Sequence, residues 1–159
     1  MAKKTFNEKL NTAGDLPKVE KLTDPRFIER YKSTTLLIAA PVEYDELMKK
    51  VPKGKLTTID RMMGVLAKKH KAGAACPMTA GIFVNIAAKA NEEREALGTG
   101  KKNVTPWWRT LKKDGQLNEK YPDGIEGQKI RLEAEGHTII QKGKRYLVEN
   151  YEKKIYQFT

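Results

Sequence analysis

Few residues in this 159-residue chain are of types that do covalent chemistry or hold metals. Cys76 is the single cysteine, and His70 and His137 are the only histidines. One cysteine excludes an intrachain disulfide. Two histidines so placed offer no zinc site of ordinary spacing, and nothing in the sequence implies a cofactor. Cys76 stands before Pro77 at the start of a predicted helix, where a thiolate is favoured. It has no histidine near it in sequence to act as base, so a small, partly buried side chain is expected there. The stretch "TPWWRTLKKDG" (residues 105–115) is more unusual. It holds the only two tryptophans, adjacent to each other between Pro106 and Arg109. On an extended segment, neighbouring side chains point to opposite faces. One indole is then expected inside, and the other at a surface or in a pocket.

Composition narrows the partners. The formal net charge is +11, with 32% charged and 39% apolar residues. That apolar share suits one core, and the length suits one domain with a short extension. The excess of positive charge favours an acidic partner, nucleic acid first and a membrane surface second. No apolar run approaches the roughly 20 residues of a membrane span. "MAKKTFNEKL" lacks the apolar segment of a signal peptide. A soluble, cytoplasmic, monomeric protein is the expectation.

The elements that must carry these residues follow from periodicity. Residues 1–33 are polar and irregular, with turn signals at "GDLPK" and "TDPRF" and a helix expected near 25–31. They read as an arm packed on the domain. "TTLLIAA" reads as a short buried strand or a turn into a helix. Pro41 opens a helix carrying Tyr44, Leu47, Met48 and Val51 at helical spacing, which "VPKG" ends. Thr58 is placed to cap a second helix over 59–69, with Asp60 in its first turn. Ile59, Met62, Met63 and Leu66 form its inner stripe, and Arg61, Lys68 and Lys69 its other face. After "KAGAACP", Pro77 opens a third helix over 77–90. Thr79, Ile82, Phe83, Ile86 and Ala90 are expected inside. Met78, Gly81, Asn85, Ala88 and Lys89 are expected outside, a face small enough for close approach of a backbone or ligand. Helix, break and helix suit a helix-turn-helix. Residues 91–103 read as a charged loop. "TPWWRTL", "KKDG" and "QLNEKY" read as a strand pair with its turn. Residues 125–135 read as a weaker helix ending at Gly136, and "HTIIQ", "KGK", "RYLVENY" as a hairpin.

"VPKGKLTTI" (51–59), "TPWWRTL" (105–111), "YPDG" (121–124) and "RLEAEG" (131–136) occur in this order. Together they resemble the DNA-binding, active-site domain of the alkylguanine-DNA alkyltransferases and their catalytically silent alkyltransferase-like relatives. The resemblance covers residues 41–137. It implies a mainly α fold with small β elements: a winged helix-turn-helix-like domain at 41–137, an N-terminal arm at 1–40 and a C-terminal β-hairpin extension at 138–159.

The family motif is Pro-Cys-His-Arg, whose cysteine takes the alkyl group from a flipped base. The matching residues here are Pro106, Trp107, Trp108 and Arg109. An indole cannot accept the alkyl group in that chemistry, so no alkyl transfer is expected at this position. Trp108 replaces the activating histidine. Glu135 matches the relay glutamate, and with no histidine to orient it is left a structural part. Ile59 stands where a tyrosine rotates the damaged nucleotide. Thr79 or Gly81 stands where a recognition-helix arginine fills the gap, and Asn91 where an asparagine hinge follows that helix. Tyr121 matches a tyrosine lining the alkyl pocket.

The resemblance therefore implies a non-enzymatic binder of double-stranded DNA, with recognition of alkylated guanine and recruitment of other repair proteins as its finer expectation. Trp107, Trp108, Arg109 and Tyr121 would form a lesion or ligand pocket, with Trp107 in it and Trp108 left open. Lys53, Lys55, Thr57, Thr58, Lys101 and Lys102 would meet phosphates. Thr79, Gly81, Asn85, Lys89 and Asn91 would lie on or after a helix set in the minor groove. The alternative is a scaffold repurposed to bind a protein or small molecule, with the tryptophan pair as its anchor. An enzyme using Cys76 is a third, lesser reading.

Overall fold

The computed structural model describes residues 3–158. The first two residues of the expected arm and Thr159 of the expected extension lie outside them. Among the described residues, six α-helices, three 3-10 turns and three two-stranded sheets make up the regular structure. The mixed, mainly helical class agrees with the expectation. Among the described residues, no helix is long and apolar enough to cross a membrane.

The N-terminal segment is more ordered than its polar composition suggests. Helix α1 (Phe6–Asn11) is capped by Thr5, whose Oγ1 accepts from the Glu8 amide. Strand β1 (Lys18–Lys21) pairs antiparallel with β2 (Thr35–Ile38), Lys18 facing Ile38. Between them α2 (Pro25–Tyr31) starts at an Asp24 cap with proline at its first turn. Strand β2 also meets the turn before the long helix. The Leu37 amide donates to Ala74 O (2.8 Å), and the Cys76 amide donates to Leu37 O (2.9 Å).

Helix α3 (Pro41–Lys50) begins where Glu43 turns back to accept from the Ala40 amide at 2.8 Å. The other Glu43 oxygen lies 2.6 Å from His70 Nε2, at the end of α4 (Ile59–Lys69). Thr58 caps α4 as its sequence position suggests. Residues 70–76 then lead to α5 (Pro77–Ala96), 20 residues and hence about 30 Å long.

Helix α5 corrects two expectations. It does not end at 90, because "NEEREA" continues it where a charged loop was expected. Its buried face is Ala80, Val84, Ala87, Ala88, Ala90, Asn91 and Arg94, so Ala88 is inside. Ile82 is 49% exposed, on the face expected to be outer. The buried positions are small because α5 packs closely on α1 and α3.

The expected strand pair after residue 105 is also replaced. Trp107–Arg109 form a single 3-10 turn, followed by β4 (Thr110–Leu111). Strand β4 runs parallel to β3 (Thr57–Thr58), Thr57 facing Thr110, rather than pairing with its successor. A second 3-10 turn, Lys113–Gly115, takes the place of the reverse turn. Helix α6 (Gly124–Ala134) ends before Gly136, which has a φ of +92°. Strands β5 (Ile139–Lys142) and β6 (Arg145–Val148) form the hairpin that ends the regular sheet structure.

Two apolar clusters hold these parts. The larger joins α3, α4 and α5 to Leu10, Leu37, Trp107 and Tyr121. The smaller, Leu56, Leu111, Leu117, Leu132 and Val148, seats the hairpin.

Candidate nucleic-acid interface

The tryptophan pair sits in a packed cluster. Trp107 is 1% exposed and Tyr121 3%. Their rings lie 5.1 Å apart, and Trp108 meets Trp107 edge-on at 5.6 Å. Such aromatic arrangements add to the energy of burial. The 3-10 turn explains the geometry, since it places successive side chains around a tight turn instead of on opposite faces. Trp107 Nε1 donates to Glu92 at 3.4 Å. Arg131 covers both indoles, 5.0 Å from Trp107 and 4.7 Å from Trp108, and is itself held by Glu92 at 3.0 Å. No motif pointed to Glu92, and the motif "RLEAEG" begins with Arg131 but assigned it no role. Their only signal is that both are charges on helix faces turned towards the pair.

Arg109 is likewise occupied. It makes a two-point contact with Glu135, Nε to Oε1 at 2.9 Å and Nη2 to Oε2 at 2.6 Å, and donates to Val51 O at 2.8 Å. The motif arginine therefore ties α3, α6 and the tryptophan turn together. Burial pushes the Glu135 carboxyl up, but Arg109 and the Trp108 indole outweigh it and hold the carboxyl below its ordinary value. Glu135 is thus a structural partner of Arg109. Burial pushes the Tyr121 phenol far above its ordinary range, and its hydroxyl donates to Thr110 O at 3.0 Å. Of the four residues expected to line a pocket, Trp107 and Tyr121 are buried, while Trp108 and Arg109 are only partly buried.

Thr105, just before the motif, is held from three sides. Its hydroxyl donates to Asp45 at 2.6 Å and accepts from Arg94 at 3.0 Å. Its amide donates to Asn91 Oδ1 at 2.8 Å. Arg94 also reaches Asn7 of α1 at 2.7 Å. Asn91 is therefore a fully buried part of α5, not a hinge after it.

The open space lies beside this cluster. A cleft of about 430 Å³ is lined by Ile59, Met78, Gly81, Ile82, Asn85 and Asn118, with Lys112, Glu119 and Lys120 at its rim. It separates the N-terminal half of α5 from segment 112–120. Met78 is 74% exposed beside the 49% exposed Ile82. A methyl group on Gly81 would meet nothing within 4 Å. Asn118 Nδ2 donates to Asn85 across the cleft at 3.4 Å. Lys112 pairs with Glu119 at 3.2 Å. The Glu119 carboxyl is held below its ordinary value by its own backbone amide first and by Lys112, against partial burial.

The other expected contacts divide. Lys53, Lys55, Lys101 and Lys102 are exposed. Thr57, Thr58 and Asn91 are buried and cannot reach a phosphate. Thr58 Oγ1 accepts from the Arg61 amide, and Thr79 Oγ1 donates to Cys76 O. Lys89 sets its ammonium over the Phe6 ring at 5.3 Å. Cys76 is partly buried and makes no side-chain cap. Among the described residues, no group of three or more His, Cys, Asp or Glu could hold a metal ion.

No family model matches the chain, and no curated protein does. Among solved structures, the chain is similar to S. pombe Atl1 in complex with damaged DNA containing O6-carboxymethylguanine. That match has 20% identity over 74% of this chain and 94% of the other, with a TM-score of 0.45. A second is S. pombe ATL in complex with DNA, at 19% identity, the same coverages and a TM-score of 0.44. Likenesses this distant leave the site to be read from its own residues.

Proposed function

We propose that this protein is a non-enzymatic, duplex-DNA-binding protein of the alkyltransferase-like type. The observation that carries the reading is the exposed N-terminal half of α5, small at Gly81 and apolar at Met78 and Ile82, beside an open cleft. Helices α4 and α5 act as a helix-turn-helix, with α5 entering the minor groove. Exposed apolar side chains serve there as wedges between base steps, and a glycine admits the DNA backbone closely. The net charge of +11 supplies long-range attraction. Lys53, Lys55, Lys101 and Lys102 supply phosphate contacts without reading sequence. The cleft, at about 430 Å³, is of a size that takes a small ligand. Its place beside α5 suits an extrahelical base, with alkylated guanine the specific candidate. Trp107 stands where the family's nucleophile would be, so the base would be held and not repaired.

Fluorescence anisotropy with a plain duplex, and with one carrying an alkylated guanine, tests both levels. Binding at about 50 mM salt that weakens steeply as salt rises is expected. No affinity there rejects DNA binding. Equal affinity for the two duplexes rejects lesion recognition and leaves general binding. Met78→Ala with Ile82→Ala should weaken binding by about tenfold or more while leaving stability nearly unchanged, because exposed side chains contribute little to the fold.

A further inference from the structure

We propose that the tip of the β5–β6 hairpin is a second duplex contact, gripping phosphates. This rests on the DNA-binding reading above. The tip carries Lys142, Lys144 and Arg145 around Gly143, all exposed. None of the three cations makes an ion pair among the described residues.

Their arrangement is unfavourable on its own. Lys142 and Arg145 are direct cross-strand partners. Like charges directly opposite each other on one face destabilise a hairpin, and Lys144 adds a third between them. The turn itself is well made: two residues, with Gly143 at a φ of +63° and its carbonyl accepting from Gln141 at 3.1 Å. A tight turn thus presents three cations, of which Lys142 and Arg145 share a cavity with Asp114, Glu149 and Glu152 without pairing with them, and Lys144 stands apart from that cavity.

The hairpin is tied to the segment that walls the cleft. Gln116 bridges Leu147 in antiparallel sense, and the Leu117 amide donates to Tyr146 O at 2.9 Å. Asn118, the next residue, lines the cleft. The tip has no apolar residue to anchor in a protein partner. Compact ammonium groups and one guanidinium suit the repeated phosphates of a duplex.

The test compares Lys144→Gln with Arg145→Gln against Lys3→Gln with Lys4→Gln, which removes the same charge from the N-terminal arm. Binding to a plain duplex is titrated from about 50 to 200 mM salt. The hairpin variant should show a log–log salt slope shallower by about 2, while the arm variant keeps the wild-type slope. Lys142→Glu, which converts the repelling pair into an attractive one, should raise the thermal midpoint and weaken DNA binding together. An unchanged slope in the hairpin variant, with wild type still binding, overturns the hairpin contact and leaves the DNA reading standing. Equal changes in both double variants reduce the effect to net charge and also overturn it. Wild type that binds no duplex overturns the DNA reading, and the hairpin contact with it.

Discussion

Trp107 and Trp108 are neighbours in sequence with different structural duties. Trp107 is enclosed by Tyr121, Trp108 and the Arg131 guanidinium. Trp108 is only partly buried. Trp107→Ala should therefore cost about 3–5 kcal/mol, with a smaller loss for Trp108→Ala. Urea unfolding of both variants measures this. Equal, small losses would sink the view that Trp107 is a core residue. That there is no thiol nucleophile in the motif was legible from one letter of the sequence. That Trp107 is enclosed was not, because the enclosure depends on Glu92, which belongs to no motif, and on Arg131, which opens "RLEAEG" with no role read for it. Arg109 misled for a related reason: an arginine in an active-site motif suggests a ligand, but here Glu135 and Val51 already occupy its donors.

At the scale of elements, Gly115 is the joint between the cleft wall and the hairpin layer. It sits at a φ of +79°, and an added methyl would fall on the Tyr151 ring. Gly115→Ala combines an unfavourable backbone with overpacking and should cost about 1–3 kcal/mol. A thermal midpoint within a degree of wild type would contradict this. Helices α3 and α4 and the β5–β6 hairpin were legible because large apolar residues recur at the right period. Helix α5 was legible at its start, through Pro77, but not in its facing or its end. Of its expected inner stripe, Ala90 is buried and Phe83 and Ile86 pack on the core, but Ile82 is exposed, because close helix packing selects the alanines. Its last two turns look like a solvated loop because they are charged. Those charges are spent internally: Glu93 accepts from the Phe6 and Asn7 amides, and Arg94 holds Asn103, Thr105 and Asn7. The strand pair expected around the tryptophans failed because β4 finds its partner in β3, some 50 positions earlier, and no local pattern encodes so distant a pairing.

For the molecule as a whole, stability should fall with acid in two stages. Burial holds the His137 imidazole below its ordinary 6.5, with Glu135 opposing. The Glu135 carboxyl is held below its ordinary 4.5, as is that of Glu43, where His70 and the Ala40 amide outweigh burial. In each case the unfolded chain takes up protons first, so stability rises with pH. The His137 contribution is complete above 6.5 and declines as pH falls below it. The carboxylate contributions persist to 4.5 and are lost as pH falls through the depressed values. Urea midpoints from pH 8 to 3 should show both declines. His137→Gln should flatten the first and Glu135→Gln part of the second; a wild-type midpoint constant from pH 8 to 5 would contradict the first stage.

The grip of α5 on the N-terminal helix also inverts the order in which the chain is made. Helix α1 has six residues, well short of the roughly 12–15 that an isolated helix needs to be marginally stable. Its anchor Arg94 lies 87 positions after Asn7. At about 5–20 residues per second of synthesis, α1 leaves the ribosome on the order of 5–20 s before the surface that orders it. Helix α1 is thus made well before it can fold.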